Sequence, residues 1–90
     1  VEEELLQLHR SGIPVVVVDK PPVTQALPSV LIDNAASTRL ALEHLFALGH
    51  REIRCISGDP QNRNTRLRTE AFRRFLRQHR LPCPETHILP

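Results

Sequence analysis

The chain has 90 residues, 40% of them hydrophobic but only three of them aromatic, so it can build one small aliphatic core and little more. Its formal net charge of +2 is uneven: Arg10, Lys20 and Arg39 face six acids before position 51, and nine arginines lie between Arg51 and Arg80. No apolar run approaches the roughly 20 residues that span a bilayer, so no membrane partner is expected.

The start, Val1-Glu2-Glu3-Glu4, is acidic and carries no methionine. It lacks the basic opening of a secretory signal, and the chain is expected to be a piece of a longer protein. Glu2 to Ser11 reads as the end of a helix with Leu5, Leu6 and His9 on one face and Gly12 as its stop. The run from Ile13 to Asp19, with four consecutive valines, predicts a strand buried on both faces in a parallel sheet. Asp19 falls at its carboxyl end, where open α/β sheets place their ligands. Lys20 to Pro28 is a proline-rich loop, and Ser29 to Ile32 a second short strand.

Asp33 or Asn34 can cap the next helix, which is expected over Ala35 to Leu48 with Leu42, Leu45, Phe46 and Leu48 on its apolar face. Gly49 ends it as a left-handed cap. Ile53 to Ser57 is a third strand, Gly58-Asp59-Pro60 turns out of it, and Gln61 to Asn64 is a polar loop. Thr65 is the expected N-cap of a helix running to Arg80, with Leu67, Ala71, Phe72, Phe75 and Leu76 toward the core. Thr86 to Leu89 begins a fourth strand. Helices alternating with short apolar strands predict an α/β fold.

The loop after the third strand is the candidate site. It presents free backbone N–H groups and carries Arg63, Asn64, Thr65, Arg66 and, one turn on, Arg68. Guanidinium forks, amides and hydroxyls suit sugar hydroxyls, carboxylates or purine edges. A plainer reading stands beside it: a solvated loop with a capping threonine and surface arginines. Gly58 stands alone, so no phosphate-binding glycine loop is present, and there is no nucleophile elbow. His9, His44, His50, His79 and His87 are scattered without metal-ligand spacing, and neither a metal nor a cofactor is expected. Arg66, Arg73, Arg74, Arg77 and Arg80 make the last helix basic on its outer side. Such a helix can meet nucleic acid or an anionic membrane, but it also serves as a plain solvated face. Cys55 and Cys83 have no ligand spacing and read as free thiols in a reducing compartment, the cytoplasm.

Three stretches resemble the LacI/GalR family of bacterial transcription repressors. They are Gly12 to Asp19; Val30-Leu31-Ile32-Asp33-Asn34 with Ala41-Leu42-Glu43-His44-Leu45 and Leu48-Gly49-His50-Arg51-Glu52-Ile53; and Gly58 through Phe72. The likeness runs from about Leu5 to Leu81. It implies an incomplete periplasmic-binding-protein-like two-lobed fold, with parallel strands flanked by helices. Residues 1–32 would close the N-terminal lobe of an effector domain, and residues 33–90 would open the C-terminal lobe. It implies a small-molecule effector, sugar or purine-like, held between the lobes and controlling operator DNA through a headpiece absent from this chain, in a parent that is a homodimer. By the same likeness Arg68 matches an arginine four residues before an aromatic, here Phe72, that commonly contacts effector. Asp19 matches a pocket-lining position of some members. Arg63-Asn64-Thr65 looks like the corepressor loop of purine-responsive members. Ala71 departs from the family's usual glycine. Alone, this chain is expected neither to bind operator specifically nor to hold effector tightly. A periplasmic sugar-binding protein of the same fold is the alternative. An α/β enzyme is the third reading, and no nucleophile, metal set or cofactor loop supports it.

Overall fold

A computed structural model describes residues 2–20 and 27–90. Its elements in chain order are α1 (Glu2–Arg10), β1 (Val17–Val18), β2 (Ser29–Val30), α2 (Asn34–Ala47), β3 (Cys55–Ile56), α3 (Arg63–Gln78), a 3-10 turn (Glu85–His87) and β4 (Ile88–Leu89). Both strand pairs are parallel, β1 with β2 and β3 with β4, in the register Val17↔Ser29 and Cys55↔Ile88. The chain divides into two compact units, Val1–Ile32 and Asp33–Pro90.

In the first unit the valine run behaves differently from the expectation of a strand covered on both faces. Only Val17 and Val18 form ladder, held by Val17 N–H to the Pro28 carbonyl at 2.9 Å and Asp19 N–H to the Val30 carbonyl at 2.8 Å. Val15 and Val17 are half-buried, whereas Val16 and Val18 are 59% and 69% exposed. A strand alternates its side chains, and the one helix among the described residues of this unit can cover one face only. His9, placed with Leu5 and Leu6 on the inner face of α1, is exposed. Most of the expected loop from Lys20 to Pro28 lies outside the described residues.

The second unit holds the larger core. Leu42, Ile53, Phe72, Phe75 and Leu76 are buried together, with Leu45, Phe46, Leu81 and Ile88 packed against them. Leu48 is 64% exposed, contrary to its expected place on the apolar face. Six residues beyond Leu42, it has turned about 240° around the helix axis. Leu67 is only half-buried, because it lies about 140° around α3 from Phe72.

The end of α2 explains the Gly49-His50-Arg51 sequence in physical terms. Gly49 takes a left-handed φ of 99°, which lets His50 N–H reach back to the Leu45 carbonyl at 3.1 Å. Arg51 then folds over the end of the helix. Its Nη1 donates to the Phe46 carbonyl at 2.9 Å, and its guanidinium sits 3.9 Å above the Phe46 ring. Phe46 meets Phe75 edge-on, and Phe75 stacks on His79, so the carboxyl ends of α2 and α3 are tied through aromatic contacts.

Candidate functional site

Helix α3 begins earlier than its sequence suggests. Its cap is Asn62, not Thr65: Asn62 Oδ1 accepts from the backbone N–H of Asn64 at 2.8 Å and of Thr65 at 3.2 Å. Asn62 is extended, with a side chain short enough to reach two free N–H groups. Arg63, Asn64 and Thr65 therefore occupy the first helical turn rather than a loop.

That shift decides which predicted residues meet. Consecutive helical residues diverge by about 100°, while positions four apart share a face. Asn64 and Arg68 point toward α2, and there they find Asn34. The Asn34 side chain is buried, with the residue 3% exposed. Its Nδ2 donates to Asn64 Oδ1 at 3.0 Å, and its Oδ1 accepts from Arg68 Nε at 2.8 Å. The orientation of the amide follows from Arg68, which can only donate. Asn34 is in turn positioned by its predecessor. Asp33 caps α2, accepting from Ala36 N–H at 3.0 Å, with the Ser37 hydroxyl donating to the Asp33 carbonyl at 2.9 Å. The result is a polar knot joining the amino ends of two helices.

Arg63 and Thr65 are not part of it. They line a groove of about 770 Å³ on the other flank of α3, together with Ser57, Gly58, Arg66 and Arg73. Arg73 is engaged at the far end of this groove by Glu85 at 3.0 Å. The Thr65 side chain is buried, and its hydroxyl lies 3.6 Å from where a Cβ on Gly58 would stand. The roomier groove and the interlocked polar side chains are thus in different places. The polar cluster is the better site candidate, because converging hydrogen-bonding groups, more than empty volume, orient a ligand. A smaller hollow of about 240 Å³ runs along the α2–α3 crossing, lined by Ala35, Arg39, Ala71 and Arg74.

Asp19 belongs to the first unit. It ends β1 in a left-handed conformation, φ 66°, which Asp tolerates better than most residues. Asn34 was not among the residues singled out for the site. A signal was available: a polar amide in the first turn of an apolar-faced helix must find partners if it is buried. Among the described residues no group of His, Cys, Asp and Glu is arranged to hold a metal ion. No described helix is long and apolar enough to cross a membrane.

Residues 2–90 match the sequence model of a family described as periplasmic binding proteins and sugar binding domain of LacI family. The transcriptional repressor PurR of Vibrio parahaemolyticus is 32% identical over 87 residues, which are 97% of this chain and 26% of that protein. The transcriptional regulator DegA of Bacillus subtilis is 29% identical over 85 residues, 94% of this chain and 25% of that protein. Among solved structures, a LacI family transcriptional regulator from Lactobacillus casei with bound glucose superposes with a TM-score of 0.74 at 26% identity, covering 99% of this chain and 34% of that one. The chain therefore spans about a quarter of the curated relatives it matches.

Proposed function

The chain belongs to the family of periplasmic binding proteins and LacI-type sugar-binding domains, and from that premise we propose that it senses a small polar effector on behalf of a transcription regulator. The observation that carries this reading is the cluster of Asn34, Asn64 and Arg68. A buried amide holds an arginine by one nitrogen and leaves the rest of its guanidinium available to a ligand. Arg68 is the effector-contacting residue, with Asn34 and Asn64 beside it. Asp19, Arg63 and Thr65 keep weaker claims, Asp19 because it ends a parallel strand and the other two because they line a groove.

The two units correspond to two lobes of the effector domain, residues 1–32 completing the N-terminal lobe and residues 33–90 opening the C-terminal lobe. The division at Ile32 and Asp33 supports this assignment. The effector, a sugar or a purine-like molecule, sits between the lobes in the whole protein. Its binding selects one lobe arrangement and so changes operator affinity, which requires different affinity for the two arrangements. The whole regulator works in the cytoplasm as a homodimer on operator DNA, and it catalyses no reaction. Reading the chain as a periplasmic sugar-binding protein has less support, since the relatives named above are transcription regulators.

The test is thermal stability of the whole regulator against a panel of sugars and purines, with Arg68→Ala alongside. A ligand that binds only the folded state raises Tm by mass action. A stabilising compound whose effect disappears in Arg68→Ala is the expected result. A compound that stabilises Arg68→Ala as well as the unaltered protein removes Arg68 from the site.

A further inference from the structure

The hydrogen-bond inventory of the Arg68 cluster also says what kind of group the ligand presents there, given the effector-site reading above. Arg68 makes one hydrogen bond within the second unit, through Nε to Asn34 Oδ1. None of the ion pairs among the described residues includes it. That bond restrains the guanidinium at one nitrogen, and its two Nη groups form a fork of parallel donors with no acceptor among them.

Within the second unit the charge around that fork is positive. The group that holds Arg68 is an amide, so it orients the cation without neutralising it. Asn34 is the first residue of α2 and Asn64 the second of α3, so the amino ends of both helices converge on the cluster, each the positive end of a helix dipole. Neither helix has an acid in its first turn. Glu70, two residues after Arg68, lies about 200° around α3 and lines the groove on the other flank, and the Asp33 carboxylate beside Asn34 is engaged as the cap of α2. Arg39 and Arg74 line the adjoining hollow; Arg39 is paired with Glu43 at 3.5 Å, and Arg74 is in none of the described ion pairs.

We propose that the ligand held at Arg68 presents an oxyanion, a carboxylate or a phosphate, to the Nη fork, and that the uncharged amide of Asn34 sets this preference. A neutral sugar hydroxyl can accept from the fork, but it leaves the positive charge uncompensated. An oxyanion matches the fork with two parallel charge-assisted bonds. A carboxylate at position 34 would hold Nε equally well and cancel the charge the ligand is meant to meet.

The experiment compares matched neutral and acidic probes by NMR titration up to their solubility limits: glucose against glucuronate and glucose 6-phosphate, and adenosine against adenosine 5′-monophosphate. The whole regulator is titrated, unaltered and as Asn34→Asp and Arg68→Gln. The acidic member of at least one pair is expected to bind about tenfold tighter or better, with shifts at the Asn34 and Asn64 side-chain amides. That advantage should shrink by a similar factor in Asn34→Asp, while the neutral member keeps its affinity. Arg68→Gln should abolish it and serves as the second check if Asn34→Asp does not fold. Which acid binds separates a carboxylate from a phosphate source. A neutral member that binds as tightly as its acid overturns the oxyanion inference and leaves the effector site standing. An acid advantage that survives both variants also overturns it. Binding of no probe at all removes the effector-site reading and this inference together.

Discussion

Replacing Asn62 by Ala removes the side chain that starts α3. Its Oδ1 accepts two backbone N–H groups, of Asn64 and Thr65, and no other described side chain caps this helix end. Because the helix end is exposed, water takes up the freed donors, and the loss stays near the ordinary capping value of about 1 kcal/mol, within about 0.5–2. In a domain of this size that lowers Tm by about 4–8 °C. Asn62→Asp should hold Tm or raise it, since a carboxylate meets the positive end of a helix that has no acid in its first turn. Thr65→Val gives the contrast. The Thr65 hydroxyl makes none of the described hydrogen bonds, so a side chain of similar size should cost no more than about 0.5 kcal/mol. Helix melting followed by circular dichroism at 222 nm measures all three. A Thr65→Val variant that loses more stability than Asn62→Ala would refute Asn62 as the cap and restore Thr65.

Leu76→Ala should cost about 2–5 kcal/mol, since Leu76 is 1% exposed and the large-to-small change leaves a cavity in the core; urea unfolding reads this directly. Gly49→Ala should cost roughly 1–2 kcal/mol by the same assay. An added Cβ meets nothing within 4 Å, so the penalty is the left-handed backbone alone, and a Gly49→Asn variant should recover part of it. Burial, and then the neighbouring Cys83, pushes the Cys55 thiol above its ordinary value. The folded chain therefore holds that proton more tightly than the unfolded one. The stability this contributes is complete below the ordinary thiol range and is lost as pH rises through the raised folded value. A pH series of urea midpoints should show that decline, and Cys55→Ala should flatten it.

How much of this was legible beforehand depended on the kind of signal involved. Long periodic segments were: the apolar spacing of Leu42, Leu45 and Phe46, and of Ala71, Phe72, Phe75 and Leu76, placed both ends of α2 to within one residue and the ends of α3 to within three. Gly49 announced the end of α2, because only glycine takes φ of 99° without strain. The strands were harder. A run of four valines looks covered on both sides, yet covering Val16 and Val18 takes a partner that sequence pattern alone does not supply. The cap of α3 was misread because Asn62, Asn64 and Thr65 are all good capping residues, and choosing among them takes backbone geometry. That three-residue difference also scattered the candidate site. In a loop, Arg63, Asn64 and Thr65 could all face one ligand; on a helix, Asn64 turns to Asn34 while Arg63 and Thr65 turn to the groove. Asn34 reads in the sequence only as a possible cap, because its role depends on a residue 30 positions away.

The parallel pairing of β3 with β4 has a consequence for the order of assembly. Cys55 and Ile88 can align only after the chain has passed through the whole of α3, whereas the partners Val17 and Ser29 are far closer in sequence. Closing the longer loop carries the greater entropic cost, and a two-residue ladder returns few hydrogen bonds for it. The contact of α2 with α3 forms the larger interface, and each helix is built from bonds local in sequence. The second unit is therefore expected to gather its helices first and set its strand register late, and φ-values measured on both contacts test this order. Substitutions at Leu42 or Phe75, in the core between α2 and α3, should act on the folding rate, and substitutions at the Cys55–Ile88 ladder on the unfolding rate.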